Sequence, residues 1–208
     1  MKIFKIKYAI DRNSQVPSPY QYLMLNTDGL KPEELGLYKH HRFRFEGMPY
    51  DEKTWVAPPM DLMQPLRPAP DIWYLANSGA FGAGAKAYDY LSSFIVRAGQ
   101  FLPLVFRQHT IQICNILESA ECIDENRSEW RIRPNGPTSL KRPFFISDKI
   151  PDSTLFKIPE IPADIYVWEE TGNPDDEFKA CVEMNGLTGL IFEPVWSEEE
   201  GIIPYKRI

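Results

Sequence analysis

The stretch Lys86-Ala87-Tyr88-Asp89-Tyr90-Leu91-Ser92-Ser93-Phe94-Ile95-Val96-Arg97-Ala98-Gly99, with Leu104–Arg107 and Thr110–Leu117 after it, decides the fold class. Ala87, Tyr90, Leu91, Phe94, Ile95 and Ala98 recur at spacings of three and four, with Lys86, Asp89, Ser92, Ser93 and Arg97 between them. That period puts the apolar residues on one face of a helix, which Gly99 ends, with Pro103 beyond. The residues that follow change period. Leu104–Arg107 and Thr110–Leu117 read as two strands around a turn at Gln108-His109, with Ile111 and Ile113 opposite in parity to Thr110, Gln112 and Cys114. A helix running into a hairpin is an α+β signature.

Working outward, Phe4, Ile6, Tyr8 and Ile10 share one parity and Lys5 and Lys7 the other, which predicts a half-buried strand; Tyr20–Leu25 and Ile72–Leu75 are further strand candidates. Pro58, Pro59, Pro65, Pro68 and Pro70 hold the chain extended between Val56 and Asp71. Trp55, Met60, Leu62, Met63 and Leu66 lie in or beside that stretch, too much apolar surface for a free linker, so it reads as a strap over the body of the protein. Downstream, Trp130–Arg133 and Arg142–Ser147 flank Asn135-Gly136-Pro137 as a second hairpin, and Leu155–Ile158 and Ile165–Trp168 are short strands. A second helix is expected from Pro174, with Asp175, Asp176 and Glu177 in its first turn and a stop at Asn185-Gly186, then a closing strand Leu187–Val195. The expected fold is α+β, a mainly antiparallel sheet with two principal amphipathic helices and a Pro-rich strap. Residues 1–70 form an N-terminal β-rich segment packed on a main body of residues 71–208.

Composition narrows the function classes. The 208 residues carry 23 Lys plus Arg against 29 Asp plus Glu, a net charge of −6, which disfavours a nucleic-acid binder dependent on phosphate neutralisation. Hydrophobic residues at 43% and charged residues at 25% are ordinary globular usage. The acidity is local: residues 157–208 hold twelve acids and four bases. The three cysteines, Cys114, Cys122 and Cys181, form no CxxC pair and suit a reducing cytoplasm. The opening Met1–Lys7 interleaves charge with apolar residues, unlike a signal peptide, and no run reaches the ~20 apolar residues of a membrane span. A cytoplasmic protein is expected.

No motif specifies a reaction. Gly79-Ala80-Phe81-Gly82-Ala83-Gly84-Ala85-Lys86 resembles a phosphate loop in its outer glycines, but Ala85 stands where the Lys belongs and Ala87 where the Ser or Thr belongs, so it reads as a small-residue helix entry. His40-His41 has no Cys or His cluster beside it to complete a zinc site. His109 has no nucleophile elbow to serve. Arg42, Arg44, Arg131, Arg133, Lys141 and Arg142 form two small basic groups. No catalytic residue, cofactor site or metal site is assigned. The acidic stretch Glu118, Glu121, Asp124, Glu125 and Glu129, with Trp130 beside it, is the candidate contact surface for a basic protein partner, because tight interfaces combine aromatic anchors with complementary charge.

Five motifs, in order and spacing, carry a resemblance over about residues 71–197. They are Leu102-Pro103-Leu104-Val105-Phe106; Asn115; Asp124-Glu125-Asn126-Arg127-Ser128-Glu129; Leu155-Phe156-Lys157-Ile158; and Gly186-Leu187-Thr188-Gly189-Leu190-Ile191-Phe192. In these the chain resembles the immunity proteins of bacterial polymorphic-toxin and contact-dependent competition systems. The resemblance implies a cytoplasmic protein that binds and neutralises a cognate protein toxin, with no catalytic residues and no cofactor. The acids would either plug the toxin's active site as polyanion mimics or clamp a remote surface. The rival readings are a regulatory or adaptor module binding protein or RNA through the basic hairpin, and a hydrolase pairing carboxylates with His109.

Overall fold

The computed structural model describes residues 1–9, 19–26, 45–76, 78–106, 109–133 and 136–204. Its first strand, β1 (Lys2–Tyr8), has Phe4 and Ile6 buried on one face and Ile3 on the other. The alternation marks a half-buried strand, yet both faces are covered at its start because separate apolar clusters pack on the two sides of the sheet there. It pairs antiparallel with β11 (Tyr166–Glu169) on one side and β12 (Leu190–Ser197) on the other; β10 (Leu155–Phe156) and β13 (Gly201–Ile202) complete a five-stranded sheet ordered β10-β11-β1-β12-β13. Phe4 faces Pro194 where the β1–β12 register shifts, so the residue without an N–H sits at an irregularity in the ladder.

A second antiparallel sheet is ordered β4-β5-β7-β6, with β4 (Ile72–Tyr74), β5 (Phe81–Ala83), β6 (Gly99–Phe106) and β7 (His109–Ile116). The helix α1 (Ala85–Ala98) buries Ala87, Leu91, Phe94, Ile95 and Ala98, the face its period predicts. These residues share a core with Phe4 and Ile6 of β1, Phe81, Cys114 and Ile116 of the second sheet, and Phe178, Cys181 and Val182 of α2 (Phe178–Met184). The opposite face of β7 gives Ile111 and Ile113 to another cluster, beneath the strap with Leu23, Phe45 and Met60. A third cluster joins Ile3, Tyr166 and Trp196 to Cys122, Ile123, Leu140 and Phe145. The fold is α+β and mainly antiparallel.

Several elements differ from their expected positions. The strap contains a strand, β3 (Met60–Met63), paired with β2 (Tyr22–Leu25), and Trp55 donates its indole N–H to the Pro103 carbonyl at 2.9 Å. Strand β6 begins at Gly99 itself, where a Cβ would collide with the Asn115 carbonyl oxygen. Pro103 is tolerated because β6 is an edge strand. The small-residue segment Gly79–Lys86 does enter the helix, with Gly84 at the N-cap, but it also holds β5, where a Cβ on Gly82 would stand 2.6 Å from the Ile111 side chain. The second hairpin pairs β8 (Glu129–Arg133) with β9 (Gly136–Arg142), so its return strand ends at Arg142, where the sequence reading began it. Pro134 and Asn135 lie outside the described residues, as does the strand candidate Ile10.

The second helix starts four residues later than expected. Asn173 accepts backbone N–H groups at its carbonyl from Asp176 (3.2 Å) and Glu177 (2.8 Å), and at its side chain from Asp175 (3.2 Å), which folds Pro174–Glu177 into turns. Asp175, Asp176 and Glu177 therefore do not form a helical first turn. The Glu177 carboxylate, 2% exposed, instead accepts hydrogen bonds from the backbone of Glu170, Thr171 and Gly172 and from the Thr171 hydroxyl. Burial pushes its pKa up, but these bonds prevail and hold it below the ordinary carboxylate value.

Candidate functional site

The acidic segment begins where β7 ends. Leu117 and Glu118 both donate backbone N–H groups to the Ala98 carbonyl at 2.8 Å, satisfying the last turn of α1 while leading the chain off the sheet. Ser119 bridges Lys157 in parallel, with Lys157 donating to the Glu118 carbonyl and Ala120 to the Lys157 carbonyl. Ile123 bridges Phe145 in antiparallel fashion, with Asp124 donating to the Phe144 carbonyl and Ile146 to that of Cys122. Residues 117–124 are thus an extended ribbon sewn at two places onto the body. Ala120 and Cys122 turn inward, while Ser119 and Glu121 face solvent.

The segment then closes on itself. Asp124 Oδ1 accepts from the backbone of Asn126 at 3.0 Å and Arg127 at 3.2 Å, and its carbonyl accepts from Ser128 at 3.0 Å. This is the local capture that favours Asp at turns. Ser128 Oγ accepts from the Phe144 N–H at 2.8 Å, Trp130 donates its indole N–H to the Glu125 carbonyl at 2.9 Å, and the Arg127 guanidinium lies 3.5 Å from the Phe144 ring centroid. The loop is held from several directions.

The six candidate residues consequently divide. Glu121 and Glu125 are exposed and form no ion pair with a described residue. Glu118 is half-buried, and its backbone is anchored as described. Asp124 spends its carboxylate on the turn. Trp130 is half-buried against the third cluster, so its ring is largely a packing group. Glu129 pairs with Lys141 at 2.9 Å and Arg142 at 3.0 Å, and the bonds from these two hold its carboxyl below its ordinary range. Within residues 118–129 the only base is Arg127. The hairpin register, which sets Glu129 opposite Arg142, delivers the others.

His109 opens β7 with its ring 5.5 Å from that of Trp73 and makes no ion pair with a described carboxylate. Burial pushes all three thiols up, Cys122 to about 12, so each stays protonated and inert at neutral pH. His40, His41, Arg42, Arg44 and the side chain of Arg133 lie outside the described residues. No described helix is long and apolar enough to cross a membrane.

Sequence reasoning passed over Lys157. It is 1% exposed, and its ammonium donates to the carbonyls of Phe45 and of Gly79, the latter at 2.9 Å. The available signal was a lone cation inside the apolar run Leu155–Ile158. No protein-family model and no curated protein matches the chain.

Proposed function

We propose that this chain is an immunity protein that binds and neutralises a cognate bacterial toxin through direct protein–protein contact in the cytoplasm. The observation that carries the reading is the acidic segment itself: two exposed carboxylates, Glu121 and Glu125, without internal counter-ions among the described residues, on a backbone already fixed by the Asp124 turn and the two bridges. A preformed loop loses little conformational entropy on docking. Unpaired surface acids steer a basic partner toward it. The order of the five motifs quoted above supports the same reading.

Co-expression with the toxin domain encoded by the adjacent reading frame tests it: growth should be rescued and the two chains should purify together. The double reversal Glu121→Lys/Glu125→Lys should slow association about tenfold at low salt, with much less effect at high salt. An unchanged association rate at low salt removes this loop from the interface, and a pair that neither associates nor protects ends the immunity reading.

A further inference from the structure

On the face of the five-stranded sheet turned away from α1, Tyr166, Lys5 and Glu193 stand side by side on β11, β1 and β12. They line a cleft of about 80 Å3 together with Lys7, Asp164, and Lys141 and Arg142 from the end of the second hairpin. Pro194, Val195 and Ile203 contribute apolar surface. Four cations and two carboxylates line the cleft, a net +2 in a chain whose net charge is −6.

The cations have donors to spare. Lys5 pairs with Asp164, Lys7 with Glu193 at 3.5 Å, and Lys141 and Arg142 with Glu129. An ammonium has three N–H donors and a guanidinium five, so these contacts leave others available. Burial lowers the Lys5 pKa even against the pull of Asp164, the mark of a cation whose neighbours undercompensate it. Tyr166 is 1% exposed, and its hydroxyl has no hydrogen-bond partner among the described residues. Burial raises its pKa well above the ordinary value, so it remains a donor.

We propose that this cleft is a binding site for a phosphate dianion, held by Lys5, Lys7, Lys141 and Arg142 and by the Tyr166 hydroxyl. The volume is far below the ~300 Å3 or more of a site for a drug-sized ligand, which limits the occupant to a few heavy atoms. A phosphate monoester carries about −1.5 to −2 at pH 7, and inorganic phosphate somewhat less, against the net positive lining, whereas a carboxylate would neutralise half of it. Donors arriving from two strands and a hairpin suit an anion with several acceptor oxygens better than a planar one with two.

Calorimetric titration of the full chain with inorganic phosphate at low ionic strength, with acetate titrated separately at matched ionic strength, tests the assignment. Saturable one-to-one binding of phosphate, much tighter than acetate, is expected. Tyr166→Phe, which keeps the ring and removes the hydroxyl, should weaken it about tenfold, the effect of one hydrogen bond to a charged group. Lys7→Gln should weaken it severalfold and flatten its salt dependence. Absence of saturable heat from the wild-type chain overturns the proposal whatever the variants do. So does acetate binding as tightly as phosphate, or wild-type affinity in both variants.

Discussion

Lys157 is the residue whose environment departs furthest from its chemistry. Its buried ammonium finds two backbone carbonyls and pairs with no carboxylate among the described residues, and burial lowers its pKa to about 8. Nearby Glu46 and Asp164 pull the other way without prevailing. An unfolded lysine titrates near ~10.4, so between about pH 8 and that value the unfolded chain holds a proton that the folded chain has released. Stability contributed by this group therefore rises with pH across that window, the reverse of a lysine gaining a salt bridge. Its neutral amine can still donate to both carbonyls. Urea melts of the wild-type chain and Lys157→Met at pH 7, 8.5 and 10 should show the wild type gaining on the variant, by up to ~3 kcal/mol overall. The comparison isolates Lys157 from the buried tyrosines and cysteines, whose raised pKa values act oppositely in both proteins. A difference that stays flat with pH would mean that folded Lys157 keeps its proton up to the ordinary lysine range and that its burial carries no net penalty.

At the scale of elements, the acidic loop owes its shape to Asp124 rather than to its charge count. Asp124→Asn keeps an oxygen that can accept from Asn126 and Arg127, whereas Asp124→Ala removes it. The alanine variant should lose about 1 kcal/mol and expose the amides of residues 126–128 to faster hydrogen exchange, while the asparagine variant stays within about 0.5 kcal/mol of wild type. Equal effects from both would place the role in the carboxylate charge. The same contrast explains what the sequence could disclose. Helix α1 was legible because its apolar face repeats at three and four residues and nothing local competes with it. The late start of α2 was not, because Glu177 is extended at the helix N-cap, its carboxylate held by the backbone of Glu170, Thr171 and Gly172, which are separated from it by the turn. The return strand β9 reads Gly-Pro-Thr-Ser-Leu-Lys-Arg and has no alternation to detect. That concealed the site as well: the pairing of Glu129 with Lys141 and Arg142 follows from a register between segments twelve and thirteen residues apart. Composition along the chain could supply the acids of the loop but not which of them would be spent internally.

At the scale of the whole molecule, the acidic C-terminal quarter is less exposed electrostatically than its composition implies. Of its twelve acids, Asp164 pairs with Lys5, Glu193 with Lys7, Glu198 with the Met1 amino group, and Glu169 and Glu183 with Lys179. Three of those five pairs reach back to the first seven residues, because β1 lies between β11 and β12. The N-terminal strand is thus the seam of the fold. Ile3 feeds one core cluster, and Phe4 and Ile6 feed another. Full burial of such side chains contributes about 1.5–3 kcal/mol each. Three of them amount to a large part of the ~5–15 kcal/mol by which a domain is stable. A fragment of residues 71–208 would expose the edges of β11 and β12 that pair with β1 and the parts of both clusters that β1 covers. Expressed alone, it should be unfolded or aggregated, with no cooperative thermal transition. Supplying residues 1–70 as a separate chain should restore a soluble complex with one transition, and substituting Phe4→Asp and Ile6→Asp in that chain should abolish the rescue. A fragment of 71–208 that melts cooperatively by itself would show instead that the two parts fold independently and that β1 merely docks.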